Sequence, residues 1–193
     1  MGLWGATDAE ESKPKNLTDE EKKLVSASHK GWELKPGTKE SGNDNPDADP
    51  EVLVAIGDLA TSLGAADITS IDFVTTSLGN NAGGNVDVKV RFNEAVDITG
   101  TPQLTLTNSR AGGGSAATLV LDYLSGTGKF EIIFRKAIGA GSTAYEEDDV
   151  LSVGTNVLSL NGGTIKDKGT NTASTITNVA GIGSAAGTLT IGT

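Results

Sequence analysis

The chain has 193 residues, enough for one ordinary domain and a small additional unit. It carries 15 Lys and Arg against 25 Asp and Glu, and a formal net charge of −10 argues against a surface for nucleic-acid phosphates. With no Cys and one His, disulfides, thiolate metal sites and Cys nucleophiles are excluded, and a zinc site is disfavoured.

Residues 1–63 predict an extended N-terminal arm with one short helix. Thr18-Asp19-Glu20-Glu21 is a capping box, so the helix is expected near residues 19–26. Residues 37–50 are rich in Gly, Asn, Asp and Pro, a composition typical of a linker. Because the arm lacks a periodic apolar pattern, we expect it to be ordered by a partner rather than by itself.

A few apolar side chains stand out in this polar arm, and they are the candidate partner-binding residues. They are Trp4, Leu17, Leu24, Trp32 and Leu34. Large apolar side chains in such a segment either form a small local core or insert into a partner protein. The residues leave both alternatives open, and our working prediction is insertion into a partner. Residues 51–63 are also open, between a strand and one amphipathic turn.

Residues 64–193 predict an all-β fold, an antiparallel β-sandwich of about seven strands. Apolar and polar residues alternate, and short turns of Gly, Asn and Thr separate the alternating segments. Val86, Val88, Val90 and Phe92 share one face of a strand and are expected inside. Further strands are predicted near residues 68–76, 103–107, 117–124, 129–136, 150–153, 156–165, 175–178 and 189–191.

The sequence shows no pattern of a catalytic, cofactor or metal site, so we predict a protein that is not an enzyme. His29 lies in a polar stretch without a pattern that supplies an orienting acid. Asp44, Asp47 and Asp49 lack the central Gly and the final Glu of a calcium-binding loop. The acidic run 146–149 predicts a solvated turn, with calcium bound between loops as the open alternative.

Four motifs in the β region resemble a bacterial immunoglobulin-like domain of the kind found in long surface and adhesin repeats. They are FNEAV (92–96), TGTP (99–102), YLSGTG (123–128) and LNGGTIKD (160–167). The resemblance covers about 90 residues. The sequence departs from the family at 168–171, where small residues and Gly-Asn are usual. The resemblance implies an Ig-like β-sandwich.

The N-terminal segment is similar to a different group of proteins. WGATDAEESKPKNLTDEEK (4–22), GWELKPG (31–37) and EVLVAIGDLAT (51–61) are similar to the start of small virion proteins of tailed phages that infect marine bacteria. Together the two resemblances imply a phage structural protein. Its arm would be anchored on the virion, and its Ig-like domain would face outward.

We therefore predict a non-enzymatic capsid decoration protein without a cofactor. Its partner would be the major capsid protein or another virion protein, not nucleic acid or a membrane. Symmetric display could also produce a homo-oligomer. The segment before residue 16 lacks the apolar stretch of a signal peptide, so we expect synthesis in the host cytoplasm and then a place in the virion.

Two alternatives remain. The first is a host-surface or carbohydrate-adhesion module on a phage tail, neck or fibre. It would require exposed aromatic residues on the β region, and only Tyr145 is expected to be free there. The second is a bacterial adhesin-type Ig-like protein, which the missing signal peptide disfavours.

Overall fold

The computed structural model describes residues 13–14, 16–110 and 117–193. Within these ranges lie thirteen strands and three short helices. The strands are β1 (Val25–Ala27), β2 (Gly31–Leu34), β3 (Glu51–Ala55), β4 (Ile68–Phe73), β5 (Leu78–Gly79), β6 (Gly84–Thr99), β7 (Gln103–Ser109), β8 (Leu119–Ser125), β9 (Lys129–Ile138), β10 (Val150–Ser152), β11 (Leu158–Ser159), β12 (Thr164–Asp167) and β13 (Thr188–Gly192). The helices are α1 (Asp19–Lys23), α2 (Leu59–Ser62) and α3 (Ala180–Ala185).

The predicted all-β class is confirmed. The strands follow one another in the order β3-β2-β1-β6-β9-β8-β7-β10-β13-β5, with β4 and β12 also paired to β6 and β11 paired to β7. Most pairs are antiparallel, but β1 with β6 and β13 with β5 are parallel. The strands are more numerous and more mixed in direction than predicted, so the structure establishes the all-β class but not the seven-strand Ig-like arrangement.

β6 is the longest strand and carries the centre of the fold. Val86, Val88, Val90 and Phe92 are fully buried on one face, as their alternation predicts. The alternation between buried and partly buried residues then stops, and every residue from 90 to 94 is buried. Both faces of the strand are covered at this point, and at Arg91 the second cover comes from residues 23–26 of the segment before residue 64.

The buried apolar residues form two separate cores. The main core is formed by side chains between residues 66 and 191, chiefly Val, Leu and Ile. Phe92 and Phe134 are its fully buried rings. The second core lies entirely within residues 17–63. We call residues 17–63 the N-terminal unit and residues 64–193 the β domain. The division at 63/64 stays a prediction, although the cores change over between Leu63 and Ala66.

The N-terminal unit is not the extended arm that the sequence predicts. β1 pairs with β2 and β2 with β3, both antiparallel, so residues 25–55 form a small three-stranded sheet. The apolar side chains of this sheet are spread thinly along the sequence and meet only after the strands pair. That spacing is why composition alone gave no sign of a core. Gly31 permits the tight pairing, since its φ is +133° and a Cβ there would lie 2.0 Å from the carbonyl oxygen of Val54.

The capping box behaves as predicted. The backbone N–H of Glu21 donates to Thr18 Oγ1 at 3.3 Å, and the backbone N–H of Thr18 donates to Glu21 Oε2 at 2.7 Å. The helix is shorter than predicted, because the chain turns into β1 at Val25. For residues 51–63 the sequence left open a strand or one amphipathic turn. The structure contains both, the strand β3 followed by the helical turn α2.

The two ends of the β domain differ from the prediction in detail. β13 pairs antiparallel with β10 and parallel with β5, so the last strand connects two distant segments. The strand predicted at 175–178 is reduced to one isolated bridge between Thr175 and Asp67. The short helix α3 follows it and packs near β4, and the sequence pattern did not indicate this helix.

Candidate functional site

A buried charged residue, Arg91 of β6, joins the two units. Its guanidinium is almost fully buried and donates three hydrogen bonds to the N-terminal unit. Nη2 donates to Ser26 Oγ at 2.7 Å and to the Leu24 carbonyl at 3.2 Å, and Nε donates to the Lys23 carbonyl at 3.3 Å. The two carbonyls lie where α1 ends and lack helical partners. The Leu24 carbonyl also accepts from the backbone N–H of Lys35 at 2.9 Å, so Arg91 is a second donor there and supplies a donor to the Lys23 carbonyl.

Glu131 of β9 balances this buried positive charge. Its Oε1 accepts from Arg91 Nη1 at 3.3 Å and from the ammonium of Lys35, and Lys89 Nζ lies 3.6 Å away. Burial alone would raise the pKa of Glu131. The hydrogen bond and charge of Lys35, helped by Lys89 and Arg91, outweigh burial and hold the pKa below its usual range. Glu131 is therefore ionised at neutral pH and ties both units together.

A groove of about 530 Å³ opens beside this junction. Its walls come from α1, β4 and α3, so both units and the C-terminal helix contribute. Apolar lining comes from Leu24, Ile71, Val179, Ile182 and Ala185. Val179 is 69% exposed, the most exposed large apolar side chain in the described part of the chain. The groove is therefore a concave and partly apolar surface of the folded protein.

A second cavity of about 240 Å³ lies between α2, β6 and the turn after β12. Asp167 lines it and is buried, but its Oδ1 is used as a turn cap. That oxygen accepts from the backbone N–H of Thr170 at 2.6 Å and from Thr170 Oγ1 at 3.0 Å. Across the described ranges, no group of three or more His, Asp or Glu side chains is arranged to hold a metal ion.

His29 lies on the surface at the rim of this cavity. Its Nδ1 is 3.4 Å from Asp58 Oδ1, and both side chains are exposed. The neighbouring Ser28 hydroxyl accepts from the backbone N–H of Lys30 at 3.0 Å and bonds the Gly31 carbonyl at 3.4 Å. Ser28 is thus engaged in a local turn, and His29 makes an exposed polar contact with Asp58.

The acidic run 146–149 is organised by an arginine. Arg110 Nε donates to Asp149 Oδ1 and Nη2 to Asp149 Oδ2, both at 3.0 Å, and Asn108 Nδ2 adds a bond of 2.9 Å. The backbone N–H of Glu146 also donates to Asp149 at 3.0 Å. The Arg110 hydrogen bond is the largest cause that lowers the pKa of Asp149 to about 2. The guanidinium of Arg110 is therefore the counter-charge of Asp149, the buried carboxylate of this run.

The structure brings four of the five candidate partner-binding residues together. Trp32 and Leu34 are buried in the second core, and Leu17 and Leu24 pack against that core. The fifth, Trp4, lies outside the described residues. The structure therefore gives Trp32 and Leu34 the alternative role, a local core, and a partner cannot reach them while the unit stays folded.

Aromatic residues of the β domain are also placed differently from the expectation. Tyr145 is not free, because it packs against the main core and its hydroxyl donates to the Thr118 carbonyl at 3.2 Å. Tyr123 is partly buried and meets Phe134 edge-on with ring centroids 6.2 Å apart. Among the described residues, each aromatic side chain of the β domain is buried or partly buried.

The junction and the groove were missed by the sequence analysis. Arg91 occupies a polar position in the alternating pattern of β6, which is typical of a strand residue that faces solvent. The residues next to it in the sequence do not indicate that a second unit covers it. α3 has the composition of a Gly- and Ala-rich loop. The one available signal was Glu94, a charged residue at a position where the alternation from Val86 to Phe92 places an apolar side chain.

Within the described ranges, the helices are too short to cross a lipid bilayer. Comparison of the chain with protein-family models, with curated proteins and with solved structures finds no match.

Proposed function

We propose that this chain is a non-enzymatic structural protein of a tailed-phage virion, most specifically a capsid decoration protein. The β domain would be an outward-facing Ig-like module, and the N-terminal unit would be its base on the capsid. The proposal starts from the two sequence resemblances, one over the β domain and one over the N-terminal unit. Its partner would be the major capsid protein or a neighbouring virion protein.

One observation carries the proposal, namely the way that the two units are joined. Arg91 makes its hydrogen bonds across the boundary and is buried, with Glu131 and Lys35 beside it. A junction of this kind fixes the orientation of one unit on the other, because the hydrogen bonds must break before the units can swing. A displayed module benefits from this, since a fixed base holds it at a constant angle to the particle surface.

The places of the Ig-like motifs in the fold support the finer assignment. Tyr123 and Thr127 belong to the YLSGTG motif, and the backbone N–H of Thr127 donates to the Tyr123 hydroxyl at 2.8 Å. Gly126 in the same turn has a φ of +112°, and a Cβ there would lie 2.2 Å from the Glu131 carbonyl oxygen. The motif residues therefore have definite structural roles in the β8–β9 turn, which favours a shared fold over a chance match.

The burial of Trp32 and Leu34 changes the way in which the base would attach. Insertion of an unfolded arm into the capsid would expose the second core, so attachment through the surface of a folded unit is favoured. This surface includes β3, the end strand in the order of the sheet, whose Val52 is exposed. Many identical weak contacts on a symmetric shell would then add by avidity.

Localisation in the particle tests the proposal. Purified virions of the source phage would be examined by mass spectrometry for the chain and by cryo-electron microscopy for repeated density of its size on the capsid. We expect the full-length protein to rebind to particles from which it has been removed. Absence of the chain from purified particles would refute the proposal, and density at the tail or neck would support the adhesion alternative.

A further inference from the structure

We propose that the groove between α1, β4 and α3 binds an extended segment of a partner protein. The segment would add as a strand to β4, place an apolar side chain against Val179 and Ile182, and carry flanking Lys or Arg residues. The identification of this partner as a virion protein rests on the proposed function. The recognition chemistry itself rests only on the groove.

The first support is the open edge of β4. This strand pairs with β6 along one side, and no other strand in the described part of the chain pairs with it. Four consecutive residues of β4, from 69 to 72, line the groove. Since consecutive residues of a strand point to opposite faces, lining by all four means that the groove runs along the strand edge itself. An edge of this kind accepts an added strand through its free backbone groups.

The second support is the apolar wall that stands beside this edge. Val179 precedes α3 and is largely exposed, while Ile182 packs partly against the main core. Both line the groove together with Ile71 of β4. A side chain inserted between them would remove apolar surface from water at a concave site, where interface energy is usually concentrated.

The third support is the charge of the rim, which selects the partner. Glu20, Glu40 and Asp72 line the groove against a single cation, Lys23. Lys23 is already paired with Glu20 at 2.8 Å, and Asp72 is attracted to the buried guanidinium of Arg91, so Glu40 is the lining carboxylate that no lining cation offsets. A second copy of this chain, with a net charge of −10, would be repelled. The favoured occupant is therefore a different protein whose segment is apolar in the middle and basic at its ends.

The test uses two synthetic heptapeptides as probes, Lys-Val-Thr-Val-Thr-Val-Lys and the same peptide with Glu at both ends. Binding to the full-length protein would be measured by fluorescence anisotropy at low and at physiological salt. We expect the Lys-flanked peptide to bind at least about 10-fold more tightly than the Glu-flanked one, and the difference to shrink as salt rises. Equal binding of the two peptides would overturn the proposal.

Three variants show where the peptide binds. Val179→Asp should weaken binding of the Lys-flanked peptide about 10-fold or more, whereas Leu124→Asp, the same change at an exposed residue outside the groove, should leave it unchanged. Glu40→Lys should reduce the preference for the Lys-flanked peptide. Binding that is unaffected by both groove variants, or a dimer of the wild-type chain that Val179→Asp abolishes, would overturn the assignment.

Rebinding to particles separates this inference from the proposed function. If the wild-type chain rebinds to virions and Val179→Asp rebinds equally well, the groove is not the docking site and the proposed function stands. If the wild-type chain binds the Lys-flanked peptide in the groove but is absent from virions, the groove stands and the proposed function fails.

Discussion

Arg91 of β6 donates a 2.7 Å hydrogen bond to the hydroxyl of Ser26 in β1, across 65 residues of sequence. The same guanidinium reaches the carbonyls that end α1 and the carboxylate of Glu131. One side chain of the β domain thus closes the end of a helix in the N-terminal unit. The stability of the N-terminal unit therefore depends on a residue that lies outside it.

Replacement of Arg91 by Ala is expected to destabilise the protein by about 3 kcal/mol, because it removes three hydrogen bonds between the two units, including the buried bond to the Ser26 hydroxyl, and one cation beside Glu131. Urea denaturation would measure the loss, and hydrogen exchange should show the greatest loss of protection in β1 and β2. Arg135 provides the matched control, since it pairs with Asp87 at 2.6 Å but is partly exposed. Arg135→Ala should change stability by at most about 1 kcal/mol. Equal effects of the two changes would contradict the role of the junction.

The two roles considered for Trp32, a core residue of the N-terminal unit or an anchor in a partner protein, predict different properties of the free protein. In a Trp4→Phe background, we expect Trp32 to emit at shorter wavelength than free tryptophan and to resist quenching by acrylamide, since its side chain is fully buried. Trp32→Ala should cost about 3–5 kcal/mol in the free protein. Val52→Ala, at an exposed position of the same small sheet, should change stability by less than about 0.5 kcal/mol. An unchanged stability of Trp32→Ala would return Trp32 to the anchor role.

The lowered pKa of Asp149 predicts that the folded protein loses stability in acid. Its pKa is about 2 in the folded protein against an ordinary value of 3.8, so the unfolded chain binds the proton more readily. The contribution of Asp149 is therefore complete above pH of about 4 and is lost as the pH falls toward 2. Asp149→Asn should be less stable than wild type at pH 7 by on the order of 2 kcal/mol. The difference should vanish near pH 2 in denaturation curves, and a difference that does not depend on pH would contradict the assignment.

Calcium should have no specific effect on this protein. Arg110 pairs with Asp149 and lies 3.5 Å from Glu146, so a cation already engages two of the four carboxylates of the run. We expect the thermal midpoint to stay within about 1 °C when millimolar CaCl₂ replaces an equal ionic strength of NaCl. A midpoint that rises with calcium concentration would show an ion site, and isothermal titration calorimetry would then give its stoichiometry.

Much of the β domain could be predicted because its strands obey a local rule. The alternating apolar residues of three strands are buried as predicted, namely Val86, Val88, Val90 and Phe92, Leu104 and Leu106, and Ile132 and Phe134. Alternation is a property of a single strand, so one sequence suffices to detect it. The capping box of Thr18 and Glu21 was likewise visible, since both partners lie within one helical turn.

The N-terminal unit, the junction and the groove could not be predicted for the opposite reason. Trp32 is buried by residues from three strands and a helical turn, none of which has a strong periodic pattern of its own. The partners of Arg91 in the N-terminal unit lie 65 to 68 residues before it in the sequence. The groove depends on α3, where Gly and Ala give no apolar stripe. These features follow from which segments meet, which a single sequence does not record.

The pairing of β13 with β5 has a consequence for biosynthesis. Ile191 is the partner of Leu78, and both are buried in the main core. A nascent chain therefore cannot complete this core until β13 has left the ribosome. Until then, the edges of β10 and β5 that pair with β13 are exposed to aggregation. The strong negative charge of the chain keeps such partly folded molecules apart until β13 arrives.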